Sequence, residues 1–153
     1  MIFDSIQNIF KPYSDKKIII SMIMGFVAGL PLLLTITLLQ AWLTDVNVSK
    51  STIGLFALIG LPYSLKFLWA PIFDRYVISP LGRRRGWLLF VQVLLIISIF
   101  LLGQSNPEIS LYNVAVLSLS VTFFSASQDI IIDAYRRESL QEKEQTIGAS
   151  AYV

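Results

Sequence analysis

The chain contains neither cysteine nor histidine, and charged residues are scarce. Without these two residue types it has no disulfide, no thiol nucleophile, no imidazole base and no ordinary structural zinc site. Only 14% of its 153 residues are charged, whereas a soluble domain carries about 25%. Because 55% are hydrophobic, the composition predicts an all-α, polytopic membrane protein. The basic residues lie between apolar runs, which argues against nucleic-acid binding.

Four apolar stretches are each long enough to cross a bilayer, which takes about 20 residues of helix. Short segments that carry most of the charges separate them. The predicted organisation is a cytoplasmic N-terminal segment at 1–17 and a partial N-terminal transmembrane domain at 18–153. Within that domain we expect TM1 at ~18–43, TM2 at ~51–73, TM3 at ~86–103, TM4 at ~111–134 and the start of TM5 at ~146–153.

The positions of Lys and Arg predict how these spans are oriented. The segment before TM1, the connection 75–85 and the segment 136–145 hold three, four and three basic residues. The connections 45–50 and 104–110 hold one and none. Cytoplasmic loops of membrane proteins carry the excess of positive charge. We therefore expect the N-terminus and both basic segments on the cytoplasmic side.

TM4 carries a polar stripe along an otherwise apolar helix. Its members follow at spacings of four, three, four and four, which places them on one face: Ser118, Thr122, Ser125, Asp129 and Asp133. Carboxylates inside a membrane are costly unless they are paired or used. Asp129 and the adjacent Gln128 are therefore candidates for a transport pathway.

TM2 contains a lysine, Lys66, within the run LPYSLKFLWAP. One interpretation is that its amine reaches the headgroups, since Asp74 follows about 12 Å along the helix. The other is that it pairs with Asp129, because both residues lie seven or eight positions from charges at the same membrane boundary. Such a pair either orients two helices or takes part in proton transfer.

The connection after TM2 reads D-R-x(6)-G-R-R-R, from Asp74 to Arg85. A carboxylate at a helix end can pair with an arginine, and Gly82 allows a tight turn, as in a latch that holds one state of a moving protein. The positive charge of cytoplasmic loops explains the arginines equally well. In TM1, Gly25 and Gly29 have the spacing of a close helix contact.

This connection resembles the signature G-x-L-A-D-R-x-G-R-R of the major facilitator superfamily. It differs in that Ala70 replaces the first glycine and six residues separate Arg75 from Gly82. Further stretches resemble the AmpG-like muropeptide permeases: GLPLLLTITLLQAWL (29–43), TIGLFALIGLPYSLKFLWAPIFDR (52–75), LGRRRGWLL (81–89) and FFSASQDIIIDAYRRE (123–138). The acetyl-CoA transporter family shares part of this pattern.

The resemblance implies a proton-driven importer of anhydro-muropeptides in the bacterial inner membrane, which serves peptidoglycan recycling. In that fold the first and fourth helices line a cavity between two halves of six helices. The expected partners are the bilayer, muropeptide and protons, with no cofactor and no enzymatic reaction. Since the sequence holds four full spans, we expect it to work with further transporter helices, in the same gene product or another, or to have lost transport.

Two groups of site residues follow. The proton or substrate pathway comprises Asp129, Gln128, Lys66 and Ser125, and the cytoplasmic gate comprises Asp74, Arg75, Gly82, Arg83, Asp133 and Arg136.

An acetyl-CoA-transporter-like permease stays open as an alternative. So does a membrane enzyme that holds Mg²⁺ with Asp129 and Asp133, although such sites usually need more carboxylates. A non-transporting protein that packs through its glycines is the third alternative.

Overall fold

A computed structural model describes residues 16–78, 80 and 82–139. Residues 1–15 and the predicted start of TM5 lie outside this range. Four helical spans in the described part are long and apolar enough to cross a membrane: Met22–Asp45, Lys50–Leu68, Arg83–Gln104 and Leu111–Glu138. The predicted all-α, polytopic class is confirmed, and the chain is a multi-pass membrane protein.

TM1 is interrupted by a widened turn. It consists of an α-helix at Lys16–Leu33, a π-helical turn at Leu34–Leu38 and a second α-helix at Leu39–Asp45. Pro31 has no N–H to donate, and the helix widens shortly after it. The buried Thr35 hydroxyl donates to the Pro31 carbonyl at 2.9 Å, so a side chain satisfies the backbone where the regular helix is disturbed.

TM2 alternates between α-helix and tighter 3₁₀ turns. Its α-helical pieces are Lys50–Phe56, Leu61–Leu65 and Ala70–Arg75, and its 3₁₀ turns are Ala57–Gly60 and Lys66–Leu68. Each tight turn precedes a proline, Pro62 or Pro71, whose ring crowds the carbonyl four residues back. Those two carbonyls belong to the two 3₁₀ turns, so the prolines explain where TM2 tightens.

TM3 and TM4 are uninterrupted α-helices at Arg83–Gln104 and Leu111–Ser139. Gly82 precedes TM3 with a φ of 98°, a left-handed conformation that glycine adopts without steric cost. TM4 is the most enclosed span. In its membrane-crossing part 50% is buried within the described chain, compared with 11% for TM2.

One apolar core joins all four spans. Its buried members are Leu39, Leu43, Phe56, Ile59, Leu95, Leu102, Val114 and Val121. A smaller core of Phe73, Val91 and Ile131 joins TM2, TM3 and TM4. We call the end of the bundle where Arg75 closes TM2 and Arg83 opens TM3 the basic end.

Candidate functional site

The polar stripe of TM4 is buried over most of its length. Ser118, Thr122 and Ser125 are fully buried, and Asp129 and Asp133 are partly buried. The resemblance implied a helix that lines a cavity. In the described four-helix part, the three hydroxyl residues are enclosed by the chain itself, and TM4 has the largest buried share of the four spans. That TM4 lines a transport cavity stays a prediction.

The structure brings Lys66 and Asp129 together, as one of the two interpretations of the sequence predicts. The Lys66 amine nitrogen lies 3.8 Å from Asp129 Oδ2. At this distance the charges attract each other without a hydrogen bond. The side chains are 36% and 21% exposed, so the pair lies at a partly open edge of the contact between TM2 and TM4. The lysine thus has an anionic partner within the membrane-crossing part of the bundle.

Two hydrogen bonds flank this ion pair, and sequence reasoning missed both. Tyr63 donates its hydroxyl to Ser125 Oγ at 2.8 Å, and Trp69 donates Nε1–H to Ser127 Oγ at 3.0 Å. The Ser127 hydroxyl donates in turn to the Phe123 carbonyl at 2.8 Å. The Trp69 and Phe123 rings also touch, with centroids 4.8 Å apart. We call these two bonds and the ion pair between them the TM2–TM4 seam.

Gln128 lies beside the seam and is 1% exposed. Among the described residues its Oε1 has no hydrogen-bond partner, and the same is true of Ser118 Oγ. An unsatisfied buried polar atom costs about 1–3 kcal/mol. A position that keeps such a group is a reasonable place to look for function, and Gln128 stays a candidate for the pathway.

Arg84 joins TM2, TM3 and TM4 at the basic end. Its guanidinium lies 2.6 Å from Asp74 Oδ1 and 2.7 Å from Glu138 Oε1. Arg83 also contacts Glu138 at 3.1 Å and donates to the Asp74 carbonyl at 3.1 Å. The Arg84 side chain is 11% exposed, whereas both carboxylates are largely exposed. These four residues, which we call the Arg84 cluster, have the arrangement of a latch, although the sequence prediction omitted Arg84 and Glu138.

The other predicted gate residues lie outside this cluster. Asp133 and Arg136 pair within TM4 at 3.4 Å. Arg75 lies over the Tyr76 ring, with its guanidinium carbon 5.9 Å from the ring centre. Gly82 contributes the turn that starts TM3. The Asp133–Arg136 pair lies within TM4 and the Arg75–Tyr76 contact lies at the end of TM2, whereas Arg84 joins three helices.

A charged cavity of about 410 Å³ lies between TM2 and TM4 at the basic end. Its charged lining residues are Lys66, Asp74, Arg84, Asp133, Arg137 and Glu138. One cavity therefore extends from Lys66, the cationic member of the seam, to the Arg84 cluster. A second cavity of about 650 Å³, with an apolar lining that includes Leu58 and Phe123, lies along the same two helices.

The two carboxylates that a membrane enzyme would need each face a cation of the chain. Asp129 faces Lys66 and Asp133 faces Arg136. Within residues 16–78, 80 and 82–139, no three acidic side chains gather as a metal site requires. The geometry favours ion pairing over Mg²⁺ binding at these positions.

Gly29, one of the two glycines of TM1, makes no close helix contact within the described part of the chain. A side chain added at Gly29 would meet no atom within 4 Å there, and Gly25 is partly buried. Close packing through these glycines stays a prediction.

The sequence of the chain is similar to that of known and putative membrane transporters. A family model described as acetyl-coenzyme A transporter 1 matches residues 17–153. The chain is 44% identical over 141 residues to the anhydromuropeptide permease of Escherichia coli K12, which covers 92% of the chain and 29% of that permease.

Two further relatives match in the same way. An uncharacterized protein of Haemophilus influenzae is 45% identical over 90% of the chain and 32% of its own length. A putative transporter, AmpG 4, of Rickettsia felis is 33% identical over 97% of the chain and 36% of its own length. The chain therefore spans about a third of the length of these curated relatives.

Proposed function

We propose that the chain, which belongs to the acetyl-coenzyme A transporter 1 family, takes part in proton-driven import of anhydro-muropeptides across the bacterial inner membrane. Its 44% identity to an anhydromuropeptide permease supports the substrate class. The membrane-embedded Lys66–Asp129 pair supports proton coupling and is the observation on which the proposal rests. The proposed activity is transport without a chemical reaction, and the proposed partners are lipid, muropeptide, protons and further transporter helices.

In this proposal Asp129 carries the proton. A protonated carboxyl group is neutral and no longer attracts the Lys66 ammonium, so protonation releases the lysine. The charged cavity is lined by Lys66 and extends to the basic end, which gives water a route to the cationic member of the pair, and the Asp129 side chain is 21% exposed beside it. Gln128 and Ser125 are the adjacent polar groups that we assign to the same pathway.

We propose that the basic end faces the cytoplasm, on the strength of its arginines. There the Arg84 cluster holds TM2, TM3 and TM4 together in one state of the transport cycle. The proposed gate is centred on Arg84 and Glu138, with Asp74, Gly82 and Arg83 beside them. Arg75, Asp133 and Arg136 lie at its periphery.

Uptake of labelled anhydro-muropeptide tests the proposal, in cells that lack their own muropeptide permease and express the full-length gene product. We expect Asp129→Asn to lower uptake by roughly tenfold or more, since an amide cannot accept and release the proton. Glu108→Gln is the matched control, because this exposed carboxylate lies between TM3 and TM4. Immunoblots of the membranes correct for expression.

The same assay can contradict the role assigned to Asp129. If Asp129→Asn keeps normal uptake, and that uptake still collapses when the proton gradient is dissipated, Asp129 does not carry the proton. Uptake no greater than in cells with an empty vector favours a non-transporting role.

The family description also favours a second candidate, transport of acetyl-coenzyme A. Competition in the uptake assay separates the two substrates. Unlabelled acetyl-coenzyme A that competes as effectively as unlabelled muropeptide would favour this candidate, and the absence of competition would exclude it.

A further inference from the structure

The TM2 members of the seam follow a spacing that an α-helix does not explain. Tyr63, Lys66 and Trp69 are three residues apart, and each contacts TM4. On a regular α-helix, residues at this spacing drift by about 60° around the axis at each step. In a 3₁₀ turn they lie in line, and TM2 tightens into such a turn at Lys66–Leu68. The tight turn brings Lys66 and Trp69 into line, and Tyr63 precedes them by three residues at the end of an α-helical piece, so all three side chains meet TM4 as one row.

The ion pair in the middle of this row is weakly constrained by itself. Lys66 has a long flexible side chain that is 36% exposed, and its amine lies 3.8 Å from the carboxylate. Partly exposed ion pairs of this kind hold a single geometry poorly, because ordering a long side chain costs conformational entropy. Something else must keep the amine opposite Asp129.

The two flanking bonds are better constrained. Both involve rigid aromatic rings, and both end on fully or almost fully buried serines, Ser125 and Ser127. Trp69 is fixed further by its contact with the Phe123 ring and by its backbone N–H, which donates to the Lys66 carbonyl. The Lys66 carbonyl is thus hydrogen-bonded to the backbone of Trp69, and the Trp69 side chain is hydrogen-bonded to TM4.

We propose that Tyr63 and Trp69 are positioning residues that hold Lys66 against Asp129. The role of this arrangement in transport rests on the function proposed above, whereas the positioning itself concerns contact geometry. Because both bonds join neutral groups, they persist when the carboxylate gains a proton. TM2 then stays packed against TM4 while only the Lys66 ammonium group is released. The amine returns to the same carboxylate when the proton leaves.

A zero-length crosslink measures this contact without any transport. In the purified chain in lipid nanodiscs, a membrane-permeant carbodiimide converts the Asp129 carboxyl to an O-acylisourea. A neighbouring Lys66 amine displaces the urea and forms an amide, which mass spectrometry detects as a crosslinked peptide pair. Without a nearby amine the intermediate rearranges to an N-acylurea on Asp129. The ratio of the two products reports how well Lys66 is positioned, independently of how much carboxyl reacts.

We expect Tyr63→Phe and Trp69→Phe each to lower this ratio by roughly fivefold, the effect of one lost hydrogen bond. Ser125→Ala should match Tyr63→Phe, and the double variant should be no worse than either single one, because both remove the same bond. Tyr112→Phe is the control, since this tyrosine is 77% exposed and should leave the ratio unchanged.

Circular dichroism and gel filtration show which variants are folded. Should Trp69→Phe misfold, Ser127→Ala removes the same bond and keeps the ring. An unchanged ratio in folded variants of both bonds overturns the positioning role, even if uptake proves to be proton-coupled. The expected ratios together with proton-independent uptake overturn the proposed coupling and leave the positioning role in place.

Discussion

Arg84 is singled out from its neighbours by the helical phase of TM3. From Val91 onward the buried residues of that helix recur at helical spacing: Val91, Leu95, Ser98 and Leu102. Arg84 lies one heptad before Val91, so it continues the buried face, whereas Arg83 and Arg85 flank it and are exposed. Arg84 therefore points into the bundle because of its position on the buried face of TM3, and the number of arginines in the connection does not decide this.

Replacing Arg84 by lysine should therefore weaken the bundle. An ammonium group cannot reproduce the fork that contacts two carboxylates at once. We expect Arg84→Lys to lower the free energy of unfolding by about 1 kcal/mol, a value typical of a partly solvated ion-pair network. Arg85→Lys, at an exposed position of the same turn, is the matched control. Equilibrium unfolding in mixed micelles measures both, and equal stabilities would contradict the role of Arg84.

Sequence reasoning located the ion pair but not the bonds around it. Lys66 and Asp129 were paired from depth, because charges inside a membrane stand out in an apolar run. Tyr63 and Trp69 give no such signal, since aromatic residues are common in any membrane helix. Arg84 and Glu138 were missed because four arginines compete for the latch, and the inward face of TM3 is defined by the burial of Val91 in the structure.

Prolines disturb TM1 and TM2 in opposite ways. The first span widens after Pro31, whereas the second tightens before Pro62 and again before Pro71. A proline removes a backbone donor and crowds a carbonyl, so the sequence indicates where a helix becomes irregular. Whether a helix widens or tightens near a proline depends on the neighbouring helices. The row formed by Tyr63, Lys66 and Trp69 on TM2 could therefore not be predicted.

Thr35 should be important for the widened turn of TM1. Thr35→Val keeps the shape of the buried side chain and removes the hydroxyl that donates to the Pro31 carbonyl. We expect a loss of about 1 kcal/mol in the free energy of unfolding. Thr37→Val is the control, because Thr37 lies in the same turn and is exposed. Unfolding of both variants in mixed micelles checks this, and a Thr37→Val variant that is as destabilised as Thr35→Val would refute it.

At the scale of the whole molecule, orientation can be tested cleanly because the chain has no cysteine. We expect a membrane-impermeant maleimide to label Glu108→Cys in intact spheroplasts. Val77→Cys, in the connection at the basic end, should react only after the membrane is permeabilised, because the positive charge keeps that end in the cytoplasm. Both native residues are exposed. The reverse labelling pattern would show that the basic end faces outward.

The number and order of the spans followed from the apolar runs, but their arrangement did not. A polar stripe on a helix has the same sequence pattern whether it lines a cavity or lies against other helices. In TM4 the stripe residues Ser118, Thr122 and Ser125 are buried, and only the three-dimensional neighbourhood decides this. The sequence could therefore predict which helix is special without predicting its central position.

The central position of TM4 has a consequence for how the protein is made. Presented alone to lipid, this helix would expose its serines, Gln128 and Asp129, and a single carboxylate at the bilayer centre costs about 3 kcal/mol. The ribosome completes TM4 only after TM1, TM2 and TM3, so Lys66 and Tyr63 have left the exit tunnel before their partners are synthesised. Because of the order of the helices along the chain, the TM2 partners of Ser125, Ser127 and Asp129 are already synthesised when TM4 is completed.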